Sequence, residues 1–178
     1  VIMSPVNWGN NNEGGHHQYR AASVLQTKTT TGSKSVNWQD GWQDVFNVTM
    51  NAKKSNSVYH LTISGNAQGN GRGGNQSGSV TPVIRVLRGN SAINNGGGNN
   101  GWAGRSGDSG QNANNNYDAG LLRHTFTDSP GLNAGQNVNY KCQLKAQKSG
   151  GGNWTMSANF GSGVQGISGA SLTVIEVD

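Results

Sequence analysis

A chain with one cysteine cannot close an intrachain disulfide, and Cys142 stands alone among these 178 residues. Long apolar runs are missing as well. Nothing approaches the ~18 consecutive apolar residues that mark a membrane-spanning helix, so no membrane insertion is expected. Residues 1–8 carry neither the basic region nor the apolar centre of a secretory signal. The chain opens on Val1 rather than Met, as a processed chain or the end piece of a longer one would. Charged residues are few, at 12%, which leaves little material for a dense catalytic cluster. The carboxylates Glu13, Asp40, Asp44, Asp108, Asp118, Asp128, Glu176 and Asp178 are scattered. A glycosidase needs two of them flanking one bond, ~5–10 Å apart, and no sequence pattern pairs any two. No enzyme activity and no cofactor are expected.

The formal net charge is +5, yet apart from Lys53-Lys54 the thirteen Lys and Arg stand singly. Nucleic-acid binders concentrate such residues in a stripe or patch. The charge therefore reads as a dispersed, solubilising surface, with no nucleic-acid partner; a polyanion such as a membrane surface or an acidic polysaccharide is the lesser alternative.

What the chain does contain is glycine and asparagine, 29 and 25 residues, together almost a third of the sequence. Gly costs a helix backbone entropy and Asn competes for its backbone groups, while both suit turns that need positive φ. An all-β chain follows. Strand patterns run over residues 23–30, 42–50, 58–67, 82–88, 119–127, 138–146, 154–160 and 170–177. In 42–50, Trp42, Phe46, Val48 and Met50 fall on one face at period two. Residues 42–50 and 58–67 read as a hairpin joined by a loop of about five residues. Residues 138–146 alternate most cleanly, with Cys142 on the face of Val138, Tyr140 and Leu144, the position of a small buried hydrophobe rather than a reactive thiol. About eight strands with no helical period fit an antiparallel β-sandwich or jelly roll. Residues 1–22 are polar and aperiodic, an N-terminal arm or linker, and 23–178 form the sandwich domain. Phe46, Val48, Leu61, Ile63, Val86, Leu144, Met156 and Leu172 are its expected core.

Several segments carry a family likeness: Val45-Phe46-Asn47-Val48-Thr49-Met50 with Asn56-Ser57-Val58-Tyr59-His60-Leu61; Val83-Ile84-Arg85-Val86-Leu87-Arg88-Gly89-Asn90-Ser91; Phe126-Thr127-Asp128-Ser129-Pro130-Gly131 with Val138-Asn139-Tyr140-Lys141; and Gly169-Ala170-Ser171-Leu172-Thr173-Val174-Ile175-Glu176-Val177. Over residues 23–178 the chain resembles the C-terminal β-sandwich domain of tail-fibre and other virion surface proteins of marine tailed phages, itself distantly similar to the trimeric tumour-necrosis-factor-like jelly roll. The resemblance implies a homotrimer on the virion surface, joined to other virion proteins through the N-terminal arm. It brings no catalytic residue.

Three short motifs carry chemistry elsewhere and do not carry it here. Gly107-Asp108-Ser109-Gly110 matches the surroundings of a chymotrypsin-like serine, but it lies in an Asn/Gly stretch without that family's continuation, and a triad is a matter of geometry. Gly69-Asn70-Gly71-Arg72-Gly73-Gly74 spells a dinucleotide fingerprint with no helix after it to receive a pyrophosphate. His16-His17 beside Glu13 is the one local cluster of metal-ligand types; three copies on a trimer axis would suit a transition metal, although a solvated arm is the reading favoured and no metal is expected.

Recognition is expected in residues 94–116, because irregular stretches beyond ~12–15 residues are usually functional or disordered. Trp102 and Arg105, with Asn99 and Asn100 beside them, could stack on and hydrogen-bond a host-surface glycan; Trp102 could equally plug the fold or a subunit contact. Trp42 and Trp154 sit on apolar faces and are expected in the core. The function that emerges is a non-enzymatic phage fibre, fibre tip or surface knob for assembly and adhesion. A capsid decoration protein and a secreted carbohydrate-binding module are the alternatives.

Overall fold

The computed structural model describes residues 22–72, 78–93, 102–103, 107–109, 117–150, 155–161 and 169–178. Twelve strands occupy them: β1 (Val24–Gly32), β2 (Lys34–Asn37), β3 (Gln43–Asn51), β4 (Val58–Arg72), β5 (Gly78–Arg88), β6 (Ser91–Ala92), β7 (Trp102–Ala103), β8 (Gly107–Ser109), β9 (Tyr117–Asp128), β10 (Asn137–Gly150), β11 (Thr155–Phe160) and β12 (Ala170–Val177). No helix occurs among the described residues, as the Gly and Asn load requires.

The strands form two antiparallel sheets, and several share a column. In the first sheet the long β4 pairs with β9 along one edge and with β12 and then β11, end to end, along the other. β1 pairs with β12, and β2 with β11. The second sheet runs β3, β10, β5, with the short β6, β7 and β8 following one another on the far edge of β5. Four columns face four columns, so twelve segments build the expected sandwich of about eight strands.

The junction of β12, β11 and β4 depends on glycine. A Cβ on Gly65 would lie 2.5 Å from the Ala170 Cβ and 2.8 Å from the Phe160 ring. Gly161 turns the chain there at φ +78°, and a Cβ on it would strike the Gly32 carbonyl. A side chain at either position would push the two half-columns apart.

The core lies between the sheets. Leu61, Ile63, Val86, Leu144 and Leu172 are fully buried, and Phe46 and Val48 are at most 8% exposed; the side chain of Met156 lies outside the described residues. Burying each such side chain contributes about 1.5–3 kcal/mol. Cys142 is buried among them, and burial raises its thiol pKa well above the ordinary value, so it stays protonated.

Two expectations need correction. Residues 42–50 and 58–67 do not form a hairpin, because β3 pairs with β10 in the second sheet while β4 belongs to the first. The turn between them crosses the sandwich, with Asn56 at φ 59° and its N–H donated to the Leu132 carbonyl at 2.8 Å. Trp42 is not in the core either. The register of β3 against β10 steps from Phe46↔Cys142 to Asp44↔Gln143, leaving Val45 as the extra residue of a β-bulge. A one-residue insertion reverses the alternation. Phe46, Val48 and Met50 thus point inward, while Trp42 falls on the outer face. Pairing also extends beyond the expected bounds. The Gly69–Arg72 portion of the would-be dinucleotide fingerprint is strand, paired with β11.

Candidate functional site

The structure places the expected recognition residues as follows. Trp102 lies in β7, in backbone register with Ile84 of β5. Asn99, Asn100 and Arg105 lie outside the described residues, as do His16, His17 and Trp154. Ser109 is in β8, opposite Gly78. His60 is exposed and His124 half-buried, and burial pushes the His124 imidazole below its ordinary pKa.

Polar chemistry gathers in two places. The first is the end of the sandwich where β1 begins and β12 finishes. Ser23 N–H donates to Asp178 Oδ1 at 2.7 Å, and Lys54 Nζ pairs with Asp178 Oδ2 at 2.9 Å. Glu176 is fully buried there. Its carboxylate accepts hydrogen bonds from Gln26 Nε2, from the Lys53 N–H at 2.8 Å and from the Lys54 N–H at 3.3 Å. Burial alone would raise its pKa; these donors, with Ser57, outweigh that and hold it below the usual carboxylate value. Beside it, Asp128 of the Asp-Ser-Pro turn takes Arg88 Nη1 on one oxygen and the Tyr140 hydroxyl on the other, both at 2.8 Å. The Tyr140 and Tyr59 rings are 5.9 Å apart. Burial is the main cause that pushes both phenols up, Tyr59 to about 12.

The second place is the outer face of β5 and β10. On the inner side of β5, Ile84 and Val86 face the core; on the outer side Val83 and Leu87 are also nearly buried, at 1% and 6% exposure, with Arg85 between them. The Arg85 guanidinium lies 4.1 Å above the Trp42 ring, and Lys145 Nζ is 5.9 Å from the same ring. Arg85 Nε donates to Gln143 Oε1 at 2.8 Å, Gln143 Nε2 donates to Asp44 Oδ1 at 2.7 Å, and Lys141 Nζ sits 3.1 Å from Asp44 Oδ2. The Gln143 hydrogen bond and the Lys141 charge keep Asp44 ionised, below its ordinary pKa. Desolvation lowers the Arg85 pKa, the mark of a cation that water only partly reaches. The sequence shows no sign of this cluster, because the bulge that brings Trp42 beneath Arg85 has no signal in the residues.

No three His, Cys, Asp or Glu side chains among the described residues are grouped to hold a metal. Each described carboxylate side chain is tied into the fold; Asp40, for example, accepts the Asn37 N–H at 2.7 Å.

No protein-family model matches the chain, and no curated protein matches its sequence. Among solved structures it is similar to chains of infectious bursal disease virus. In the Gx strain structure the likeness is 16% identity at a TM-score of 0.33, covering 86% of this chain and 39% of that one. In the VP2 subviral particle it is 14% at 0.32, covering 87% and 40%. This chain thus spans about two fifths of the chains it matches. Likeness at this level carries no assignment, and the fold stands on the strand pairing itself.

Proposed function

We propose that this protein is a non-enzymatic structural protein of a tailed-phage virion, a homotrimeric fibre, fibre tip or surface knob that serves assembly and adhesion to the host. The observation that carries the reading is the polarity of the sandwich. The chain enters β1 and leaves β12 at one end, and that end is stitched by carboxylate and backbone bonds among Ser23 and residues 52–57, 128–136 and 176–178. The strand ends at Arg72, Gly78, Ser109, Tyr117, Gly150 and Thr155 lie at the opposite pole. A domain whose first and last strands meet at one stitched pole suits attachment there and display of the other pole from a particle. Carboxylates committed to structural bonds support a scaffold rather than a catalyst. The sequence resemblance over 23–178 adds the trimer and the phage setting.

Sedimentation equilibrium at micromolar concentration tests the assembly. The proposal expects a mass near three times the 18.6 kDa chain. A stable monomer overturns the fibre reading and favours a binding module.

A further inference from the structure

The outer face of β5 and β10 carries a group that the structural role does not use. Arg88 and Lys141 are each paired to a carboxylate, whereas Arg85 and Lys145 have no carboxylate partner among the described residues. Arg85 is nevertheless fixed. Trp42 supports its plane at 4.1 Å, and its hydrogen bond to Gln143 uses Nε alone. The two Nη groups have no hydrogen-bond partner among the described residues, and they are held in the planar fork that matches an oxyanion with two parallel hydrogen bonds. Lys145 brings a second positive charge to the same ring.

We infer that the Trp42–Arg85–Lys145 cluster is a binding site for an acidic saccharide, with a sugar carboxylate or sulfate seated on the Arg85 fork. The neighbouring groups define the class. Gln143 and Asp44 continue the site, and an ionised carboxylate accepts more hydrogen bonds than the two Asp44 receives. A ligand that carries an oxyanion together with hydroxyl donors satisfies both halves. A DNA backbone offers acceptors only, and its regular phosphates would meet the Asp44 charge. A fixed, partly desolvated guanidinium also gains more from an oxyanion than a freely hydrated lysine does. The site does not require the trimer; it would stand equally in a monomer.

The test is calorimetric titration of the full chain at low salt with four probes: an oligogalacturonate, a chondroitin sulfate oligosaccharide, a neutral maltooligosaccharide and a short DNA duplex. The inference expects at least one of the two acidic saccharides to bind and the neutral one not to, and which of them binds identifies the oxyanion. Arg85→Gln should weaken binding about tenfold, one charge-assisted pair's worth. Arg85→Lys, which keeps the charge and loses the fork, should fall in between. Should Arg85→Gln melt early, Lys145→Gln, whose side chain is not part of the hydrogen-bonded chain, takes its place with a smaller loss. Absence of binding to either acidic saccharide at millimolar concentration overturns the inference. So does binding indifferent to both Arg85→Gln and Lys145→Gln, or tighter binding of the DNA at equal salt.

Discussion

The two ends of the sandwich solve the problem of buried polar groups in opposite ways. At the end where β1 and β12 meet, buried Glu176 is matched by donors from Gln26, Lys53 and Lys54, and Asp128 by Arg88 and Tyr140. Toward the other end, where β4 passes from β12 to β11, the Gln68 amide and the facing Asn159 Oδ1 are buried without hydrogen-bond partners. An unpaired buried amide costs about 1–3 kcal/mol. The terminal end is the better satisfied, with the Tyr59 hydroxyl its one buried group lacking a partner among the described residues, and the larger deficit lies toward the other end, as expected if one end holds the domain in place and the other is left to vary.

The largest effect should come from breaking the terminal end. Glu176→Ala leaves the Lys53 and Lys54 amides without their acceptor and Gln26 with the Asn51 carbonyl alone, and chemical denaturation should register a loss of about 3–5 kcal/mol. The same carboxylate makes a pH test. Its folded pKa lies below the ordinary 4.5, so the stability it contributes is complete above that value and is lost as pH falls through the depressed one. Wild type should therefore lose more stability between pH 5 and pH 3 than Glu176→Gln does.

A smaller contrast lies within the paired tyrosines. Tyr140→Phe loses a bond to a charged acceptor and should cost about 1.5–3 kcal/mol at pH 7. Tyr59→Phe should be close to neutral, because the Tyr59 hydroxyl is buried with no partner. In alkali each variant should gain on wild type, because it has one raised phenol fewer to ionise on unfolding. Both phenols are raised in the fold from the ordinary 10.0, so their contribution is whole below pH 10 and lost as pH climbs past it toward 12. Denaturation midpoints at pH 9 and pH 11 check the sign.

Much of this was legible in the residues, and the failures have physical causes. Residues 138–146 alternate so cleanly that strand, face and the burial of Cys142 followed directly. Which sheet a strand joins is another matter. The 52–57 turn looks like a hairpin turn because its length is right, but its backbone is held by long-range bonds, from Lys53 and Lys54 to Glu176 and from Asn56 to Leu132, that no local pattern shows. Trp42 failed for a similar reason, since the bulge at Val45 is fixed by pairing with β10. β2 was missed because Lys34–Asn37 holds one apolar residue, Val36, too few for a period. Of the recognition residues, only Trp102 has a described backbone, in register with Ile84 of β5, and receptor contact and structural plug are its two proposed roles. Trp102→Ala separates the two: a receptor site loses host adsorption with little change in melting, and a structural plug loses melting temperature first.

The smallest expected change sharpens the comparison from the other side. Gln68→Leu replaces an amide without partners by an apolar group of similar size and should be neutral or stabilising by up to about 1 kcal/mol. A clear destabilisation would mean that this end, too, is held by polar bonds.

Display on a particle by the stitched end, as proposed, can be seen by electron microscopy of intact virions labelled with antibody fragments raised against the folded domain. Label is expected on the outer surface, at a fibre, a fibre tip or a knob, with the β1–β12 end toward the particle. Particles bare of label, or a domain attached by its opposite pole, would contradict it.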